Sequence, residues 1–340
     1  SNPKILDILE DLPAGQTTTK EIKRGTAIRI MTGAPIPKGA DAVIMVEHTQ
    51  SENSKVTIFK EVRELENIRQ VGEDVKKGDL VMTRGSVIRA AELGILASLG
   101  LTEVNVVRSP RVAILATGNE LVDPGKNLSP GKIRSSNSYT IYAQVLRYGG
   151  IPVNLGIAKD DPDEVKDRIE SGLTSDMVLT SGGVSVGKYD IVKDVLAELG
   201  IEIKFWKVAM KPGKPLLFGL IRGTPVFGLP GNSVASMVSF EQFVRPAILK
   251  MSGGRQLRKP EILATTKEDI RKKPGSRHFI RGRVKVVNGR YEVRMTGPQG
   301  SGILSSMTLA NALIVIPEDV TLVKSGQEVR LQLLDQPEVE

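Results

Sequence analysis

The sequence predicts a multi-domain protein of α/β and β class, in which a doubly wound α/β domain is flanked by a β-rich N-terminal part and a C-terminal β-barrel. Three observations carry this expectation. A chain of 340 residues exceeds one ordinary hydrophobic core, so two or more domains are expected. Residues 111–250 alternate apolar strands with helical stretches, the pattern of a sheet covered by helices on both faces. The stretches on either side read as β. The expected organisation is a β-rich domain over 1–68, a connecting part over 69–108, the α/β domain over 109–252 and the barrel over 256–340.

Taken in order, residues 26–31 and 41–47 are β-rich, separated by a turn segment that runs from Gly33 to Gly39 and holds two prolines, and 55–60 is a further strand. Residues 90–100 are helical in pattern, with Gly100 as a C-cap, and 102–107 returns to strand. In the central region strands are expected at 111–116, 152–157, 176–181, 201–208 and 225–229. Helices are expected near 137–148, 162–171, 189–199 and 232–249. Asp161-Pro162 starts a helix with proline inside its first turn, and Gly149 and Gly200 are stop signals. Pro246 bends or ends the last helix. Residues 252–255 read as a linker, and 285–293 as a hairpin around Asn288-Gly289. The apolar runs at 313–316 and 328–333 add strands.

Composition narrows the chemistry. There is no cysteine, which removes disulfides, thiolate ligands and a thiol nucleophile. His48 and His278 lie far apart without ligand spacing, which argues against a histidine-built zinc site. No apolar run approaches the length of a membrane span and no signal peptide opens the chain, so a cytoplasmic protein without membrane contact is expected. The net charge is +8, but aromatics make up only 4% and the basic residues are spread. That favours anionic small molecules over nucleic acid. Over 255–340, fifteen Lys and Arg stand against ten Asp and Glu, so the barrel is expected to face an anionic ligand. A solvated basic surface is the alternative.

Four strand-to-turn segments concentrate the functional signal. Trp206–Gly219 places Lys211 and Lys214 around Pro212-Gly213, which can hold two ammonium groups over one small volume. Val226–Phe240 runs from a strand through Pro230-Gly231-Asn232-Ser233 into a helix, whose opening aims backbone N–H groups at an anion. Both turns also read as ordinary connections with exposed lysines. Val178–Ser181 leads into Gly182-Gly183-Val184-Ser185, and Val112–Ala116 ends in Thr117-Gly118-Asn119-Glu120. Four such turns suit a parallel sheet that binds ligand at the carboxyl ends of its strands. None is a GxGxxG or Walker A loop. The carboxylates Asp74, Glu120, Asp160, Asp161 and Asp190 are hard oxygen donors suited to Mg²⁺ beside phosphates. Each also reads as a turn or cap residue.

Thr-Gly-Asn-Glu-Leu at 117–121, Ser-Gly-Gly-Val-Ser-Val-Gly at 181–187, Lys-Pro-Gly-Lys-Pro at 211–215 and Pro-Gly-Asn-Ser-Val-Ala at 230–235 resemble the blocks of the molybdopterin molybdenumtransferase (MoeA) family, which includes the E domain of gephyrin. Residues 29–37 and 71–75 match further blocks in the right order, so the resemblance covers essentially the whole chain. It implies an enzyme that takes adenylylated molybdopterin and molybdate, cleaves the phosphoanhydride, inserts molybdenum into the dithiolene and releases AMP. By the same resemblance Glu120, Asp190, Lys211 and Lys214 are catalytic, and Asp74, Glu120 and Asp190 hold Mg²⁺. Thr32, Gly33, Ser181, Gly182, Gly183, Ser185, Pro230, Gly231, Asn232, Ser233, Arg281 and Ser301 line the substrate site, and Asp160 is a further candidate.

The resemblance also implies a homodimer, with 69–108 part of an elongated dimer domain, and a molybdopterin adenylyltransferase as partner. Family members carry a further Asn-Ser-Ala-Met-Asp-Gly-Tyr-Ala stretch, supplying an active-site aspartate, ahead of the region matched by Ser1. Two rival functions stand beside this one: a non-enzymatic scaffold of the gephyrin E-domain type, and the sister adenylyltransferase activity, which shares the α/β module. The intact acidic and lysine motifs argue against pure scaffolding, and the β domains on both sides argue against the adenylyltransferase.

Overall fold

In the computed structural model, which describes residues 3–183 and 191–339, the chain divides into two units, Ser1–Thr83 and Arg84–Glu340. The first is built on a four-stranded sheet of β1 (Lys4–Leu12), β2 (Thr26–Ile30), β3 (Thr49–Glu52) and β4 (Lys55–Ile58), in the order β2-β1-β4-β3. β1 and β2 are parallel, and the other pairs antiparallel. Residues 41–47, expected as a strand, instead run as loop into a short 3-10 turn at Val46–His48. Their amides are used locally: Val43 N bonds Glu66 O at 3.0 Å, and His48 N bonds Met45 O at 3.0 Å.

The second unit opens with α1 (Ala90–Ser98). Residues 102–107, expected as a strand, pair with no strand among the described residues and are irregular. The α/β module follows: β5 (Arg111–Thr117), the short pair β6 (Leu121–Val122) and β7 (Ile133–Arg134), α2 (Asn137–Arg147), β8 (Ile151–Ala158), α3 (Pro162–Gly172), β9 (Met177–Ser181) and α4 (Ile191–Glu198). It continues through β10 (Glu202–Trp206), β11 (Met210–Lys211), β12 (Leu217–Ile221) and β13 (Thr224–Leu229) to α5 (Ser233–Ser239) and α6 (Arg245–Met251). The main sheet has the order β10-β12-β13-β9-β5-β8, with β13, β9, β5 and β8 parallel.

β5 is almost wholly buried, as expected of a parallel strand covered on both faces. Its side chains alternate between two cores: Ala113 and Leu115 pack with Val165, Ile169, Val195 and Leu196 of α3 and α4, whereas Val112 and Ile114 pack with Ile141 and Val145 of α2 and Ile248 of α6. That alternation is the double winding the sequence pattern predicted. The helix expected over 232–249 is divided: α5 passes into a π turn at Phe240–Val244, and α6 restarts with Pro246 in its first turn, where proline needs no donor.

The C-terminal region comprises β14 (Glu261–Thr266), β15 (Ile270–Arg271), β16 (Arg277–Val287), β17 (Arg290–Met295), α7 (Ser305–Thr308), β18 (Ala312–Ile316), β19 (Leu322–Val323), β20 (Glu328–Leu333) and β21 (Glu338–Val339). β16-β17-β14-β20-β18 closes on itself through the β16–β18 pair, giving a five-stranded barrel without free edges. Val284, Val293, Ile314 and Leu331 fill it. Phe279, Leu313 and Val315 of the barrel also pack on Val234 and Val238 of α5, and β11 pairs with the start of β16. The barrel is therefore fixed directly against the α/β module.

Candidate functional site

Register places three of the four expected turns, those after β13, β9 and β5, at one end of the sheet, together with the turn after β8. The fourth, the lysine loop, leads into β12, whose Leu217 pairs with Gly228 near the end of β13. Ser181 pairs with Ala116 on one side and Leu229 on the other, while Thr117 pairs with Ala158. The turns after β13, β9, β5 and β8 thus form a row. The 230–232 and 182–183 turns touch: a Cβ on Gly231 would lie 3.8 Å from the Gly182 Cα. Asn137 joins them, its side-chain amide donating to Ser181 Oγ and to Gly231 O, each at 2.8 Å. The sequence reading placed Asn137 only at a helix start, and nothing local distinguishes it from a capping residue.

Gly182 is required by close approach, and Gly118 by its positive φ. Gly182 has φ +97°, and a Cβ would sit 2.7 Å from Thr117 O; on Gly118, φ +148°, a Cβ would lie 2.4 Å from Glu120 Oε2. Glu120 is exposed, with its carboxylate folded over Gly118, and its carbonyl accepts Ile133 N at 2.8 Å. Asp160 accepts Asn119 N at 3.0 Å and its own amide donates to Asn119 Oδ1 at 3.2 Å, which pins the β5 turn to the β8 turn. Asp161 caps α3, accepting Glu164 N at 2.9 Å.

At the β13 end of the row lies a cleft of about 870 Å³. Lys207, Lys211 and Lys214 line it from the module, Pro230 and Asn232 from the turn after β13, and Gln299, Gly300 and Ser301 from the barrel, with no carboxylate among the described residues of its wall. The lysine loop is closed by Val208 N to Lys214 O at 2.9 Å and Lys207 N to Leu216 O at 3.1 Å. Gly213, φ +98°, packs where a Cβ would be 2.5 Å from Ser239 Oγ, pressing the loop onto the end of α5. His278 is the register partner of Lys211, and its pKa is lowered by burial, then by Lys272 and Lys211.

Two expectations are corrected. The opening of α5 does not present free N–H groups throughout, because Val234 N is taken by Ser301 O at 3.0 Å while Asn232 Nδ2 donates to Ser301 Oγ at 3.1 Å. Arg281 does not line the cleft. It is 1% exposed, and burial lowers its pKa. Its guanidinium donates to Ser306 Oγ at 3.0 Å and to the carbonyls of Gln299, Pro298 and Gly300 at 3.2, 3.3 and 2.9 Å. It therefore holds the loop that carries Ser301. Sequence reasoning missed Lys207 and Gln299. Lys207 lies in the Trp206–Gly219 segment but ahead of its Pro-Gly turn, and nothing in the sequence announces its φ of +83°, while Gln299 lies two residues before Ser301.

Thr32 and Gly33 form an exposed turn after β2 in the first unit, where Asp74 is also an exposed loop residue. Ser185 and Asp190 lie outside the described residues. Among the described residues no group of three or more His, Asp or Glu could hold a metal ion, and no helix is long and apolar enough to cross a membrane.

A doubly wound module whose strand ends meet a lysine-lined cleft, completed by a docked barrel, defines an α/β protein with a cationic cleft at the carboxyl ends of its strands. Comparison with known proteins narrows the class. Residues 2–100 match the MoeA N-terminal region (domain I and II), 113–250 the probable molybdopterin binding domain, and 264–334 the MoeA C-terminal region (domain IV). The chain is 39% identical to the molybdopterin molybdenumtransferase of Haemophilus influenzae, covering 94% of this chain and 80% of that protein. It is 38% identical to molybdopterin molybdenumtransferase 2 of Mycobacterium tuberculosis, covering 97% and 82%. The crystal structure of the Pyrococcus horikoshii OT3 molybdopterin biosynthesis moeA protein superposes with a TM-score of 0.80 at 33% identity, covering 98% of this chain and 82% of that one. The chain belongs to the molybdopterin molybdenumtransferase (MoeA) family, enzymes of molybdenum cofactor biosynthesis.

Proposed function

We propose that the enzyme takes adenylylated molybdopterin and molybdate, transfers molybdenum to the dithiolene and releases AMP, with molybdate held in the lysine-lined cleft. The observation that carries this reading is the cleft wall itself. Lys211 and Lys214 have no carboxylate partner there among the described residues, and a dianion relieves the repulsion of like charges gathered on one short loop. Lysine ammonium groups, Ser301 and Gln299 supply several donors to a tetrahedral oxyanion, and their fixed positions avoid reorganisation as charge shifts.

Along the row of turns the chemistry changes from cationic at β13 to anionic at β5 and β8. Two strand spacings, roughly 10 Å, separate β13 from β5. The pterin nucleotide fits along this edge, with its reacting dithiolene toward the lysines and its phosphates toward Glu120. Thr117 Oγ1, buried at the strand end without a hydrogen-bond partner among the described residues, is a donor that a bound substrate would use. Glu120, with Asp160 beside it, fits the donor set of Mg²⁺, which takes one or two carboxylates together with substrate phosphates. When bound, the cation neutralises charge on the phosphoanhydride. Asp190 and Asp74 are proposed to join that set. A homodimer, supply of substrate by a molybdopterin adenylyltransferase, and a cytoplasmic location complete the reading.

The test is AMP release from purified adenylylated molybdopterin with Mg²⁺ and molybdate. Molybdate-dependent AMP release supports the proposal. Intact substrate after prolonged incubation with folded protein refutes it.

A further inference from the structure

A second cleft, of about 620 Å³, lies where α6 and the linker meet the barrel, away from the row of turns. Five cationic side chains line it: Arg245, Arg258, Lys259, Arg277 and Arg330. Glu241 and Glu261 are the carboxylates in its wall. Lys259 is spent on Glu241 at 2.6 Å, both almost fully buried, and Arg330 lies 3.7 Å from Glu261. Arg277 turns to Glu318 at 3.2 Å. Among the described residues Arg245 and Arg258 are left without a carboxylate.

The floor of this cleft is built rather than incidental. Glu241 sits in the π turn at Phe240–Val244, a departure from α-helix that recurs at functional sites. Its carboxylate accepts from Tyr148 Oη at 3.0 and 2.8 Å and from Gln144 Nε2 at 3.0 Å, besides the Lys259 pair. Burial first, and then Glu241, hold the Tyr148 phenol in its neutral, donating form. Glu241 is thus saturated and offers nothing to the cleft. Arg245 is held over the Tyr148 ring at 5.3 Å and donates one Nη1 bond to Leu257 O at 2.9 Å, which fixes its guanidinium in the wall of the cleft. An arginine held in place by stacking and one hydrogen bond, in the wall of a cleft that a second arginine also lines, is a binding element for a doubly charged oxyanion.

The geometry points to a second ligand site here, for a dianion of the phosphate type, with Arg245 and Arg258 as its charged contacts. It is distinct from the lysine-lined cleft and does not depend on the reaction assigned to that cleft. Arg258 is exposed and makes no ion pair, so its charge can be reversed without cost to packing.

The test is calorimetric titration of the full chain carrying Lys211→Ala and Lys214→Ala, at fixed ionic strength, with inorganic phosphate in one arm and glycerol phosphate in the other. One saturable site is expected to remain. Adding Arg258→Glu should weaken it at least tenfold, and Arg245→Gln should do the same with an unchanged denaturation midpoint. Tighter binding of glycerol phosphate identifies a phosphomonoester as the ligand, and equal binding identifies free phosphate. No saturable binding in the double lysine variant, or binding indifferent to Arg258→Glu, would overturn the assignment.

Discussion

The side-chain amide of Asn232 donates to the hydroxyl of Ser301 at 3.1 Å, joining the turn that follows β13 to a barrel loop sixty-nine residues later in sequence. The same loop returns a carbonyl to Val234 N. These bonds fix the mouth of the lysine-lined cleft at the point where module and barrel meet. Asn232→Ala removes the donor and frees Ser301 to rotate. Molybdate affinity is expected to fall about fivefold, near 1 kcal/mol, with little change in global stability because both groups reach solvent. Titration calorimetry checks this, and unchanged affinity would count against a cleft closed by both domains.

Lys211→Ala and Lys214→Ala are each expected to weaken molybdate binding about tenfold or more, since each removes a charge-assisted donor of roughly 1.5–3 kcal/mol. Folding should be unaffected, because both side chains are exposed. The comparison must be made at matched ionic strength, where screening is equal. If both variants bind as tightly as the parent, the oxyanion site lies elsewhere.

Arg281 illustrates how the linear sequence and the fold divide the information. Its place in a motif made it a ligand candidate, and nothing local announces that its donors are spent on the carbonyls of residues 298–300. Arg281→Met would leave those acceptors buried and unmet, at a cost of about 3 kcal/mol. Urea denaturation should show the loss together with weakened molybdate binding. An unchanged midpoint would mean that the loop holds itself.

The strand-turn-helix order of the module was legible because buried parallel strands are continuous apolar runs bounded by glycine, as at Val112–Gly118. The failures at 41–47 and 102–107 have a common cause: both are apolar stretches that look like strands, but no neighbouring edge pairs with them, and pairing rather than propensity makes a strand. At the site, Lys211, Lys214 and the Pro230–Asn232 turn were readable from glycine-proline punctuation. Asn137, Lys207 and Gln299 were not, because their positions follow from register between elements distant in sequence.

Glu120→Gln keeps the shape of the side chain and removes its charge. AMP release in the presence of Mg²⁺ is expected to drop at least a hundredfold, a loss of about 2.7 kcal/mol in transition-state stabilisation. The circular dichroism spectrum should be unchanged. Turnover at the parent rate would remove Glu120 from the proposed cation set.

His278 gives a pH-dependent readout of the cleft. Its pKa is lowered from the ordinary histidine value of 6.5 by burial first, then by Lys272 and Lys211. Between the depressed folded value and 6.5 the unfolded chain binds more protons than the native state, so stability rises with pH through that window. The contribution of the neutral imidazole is fully present above 6.5 and is lost as pH falls through the folded value. An anion beside Lys211 offsets the repulsion that helps to depress His278, so bound ligand should restore part of its proton affinity. Thermal denaturation of the parent and His278→Gln from pH 8 to about 5.5 separates this group from His48, which is common to both, and from carboxylates, which titrate lower. The parent is expected to lose more stability than the variant on acidification, and micromolar molybdate is expected to narrow the difference. Parallel curves with and without molybdate would place the anion out of electrostatic reach of the Lys211–His278 pair.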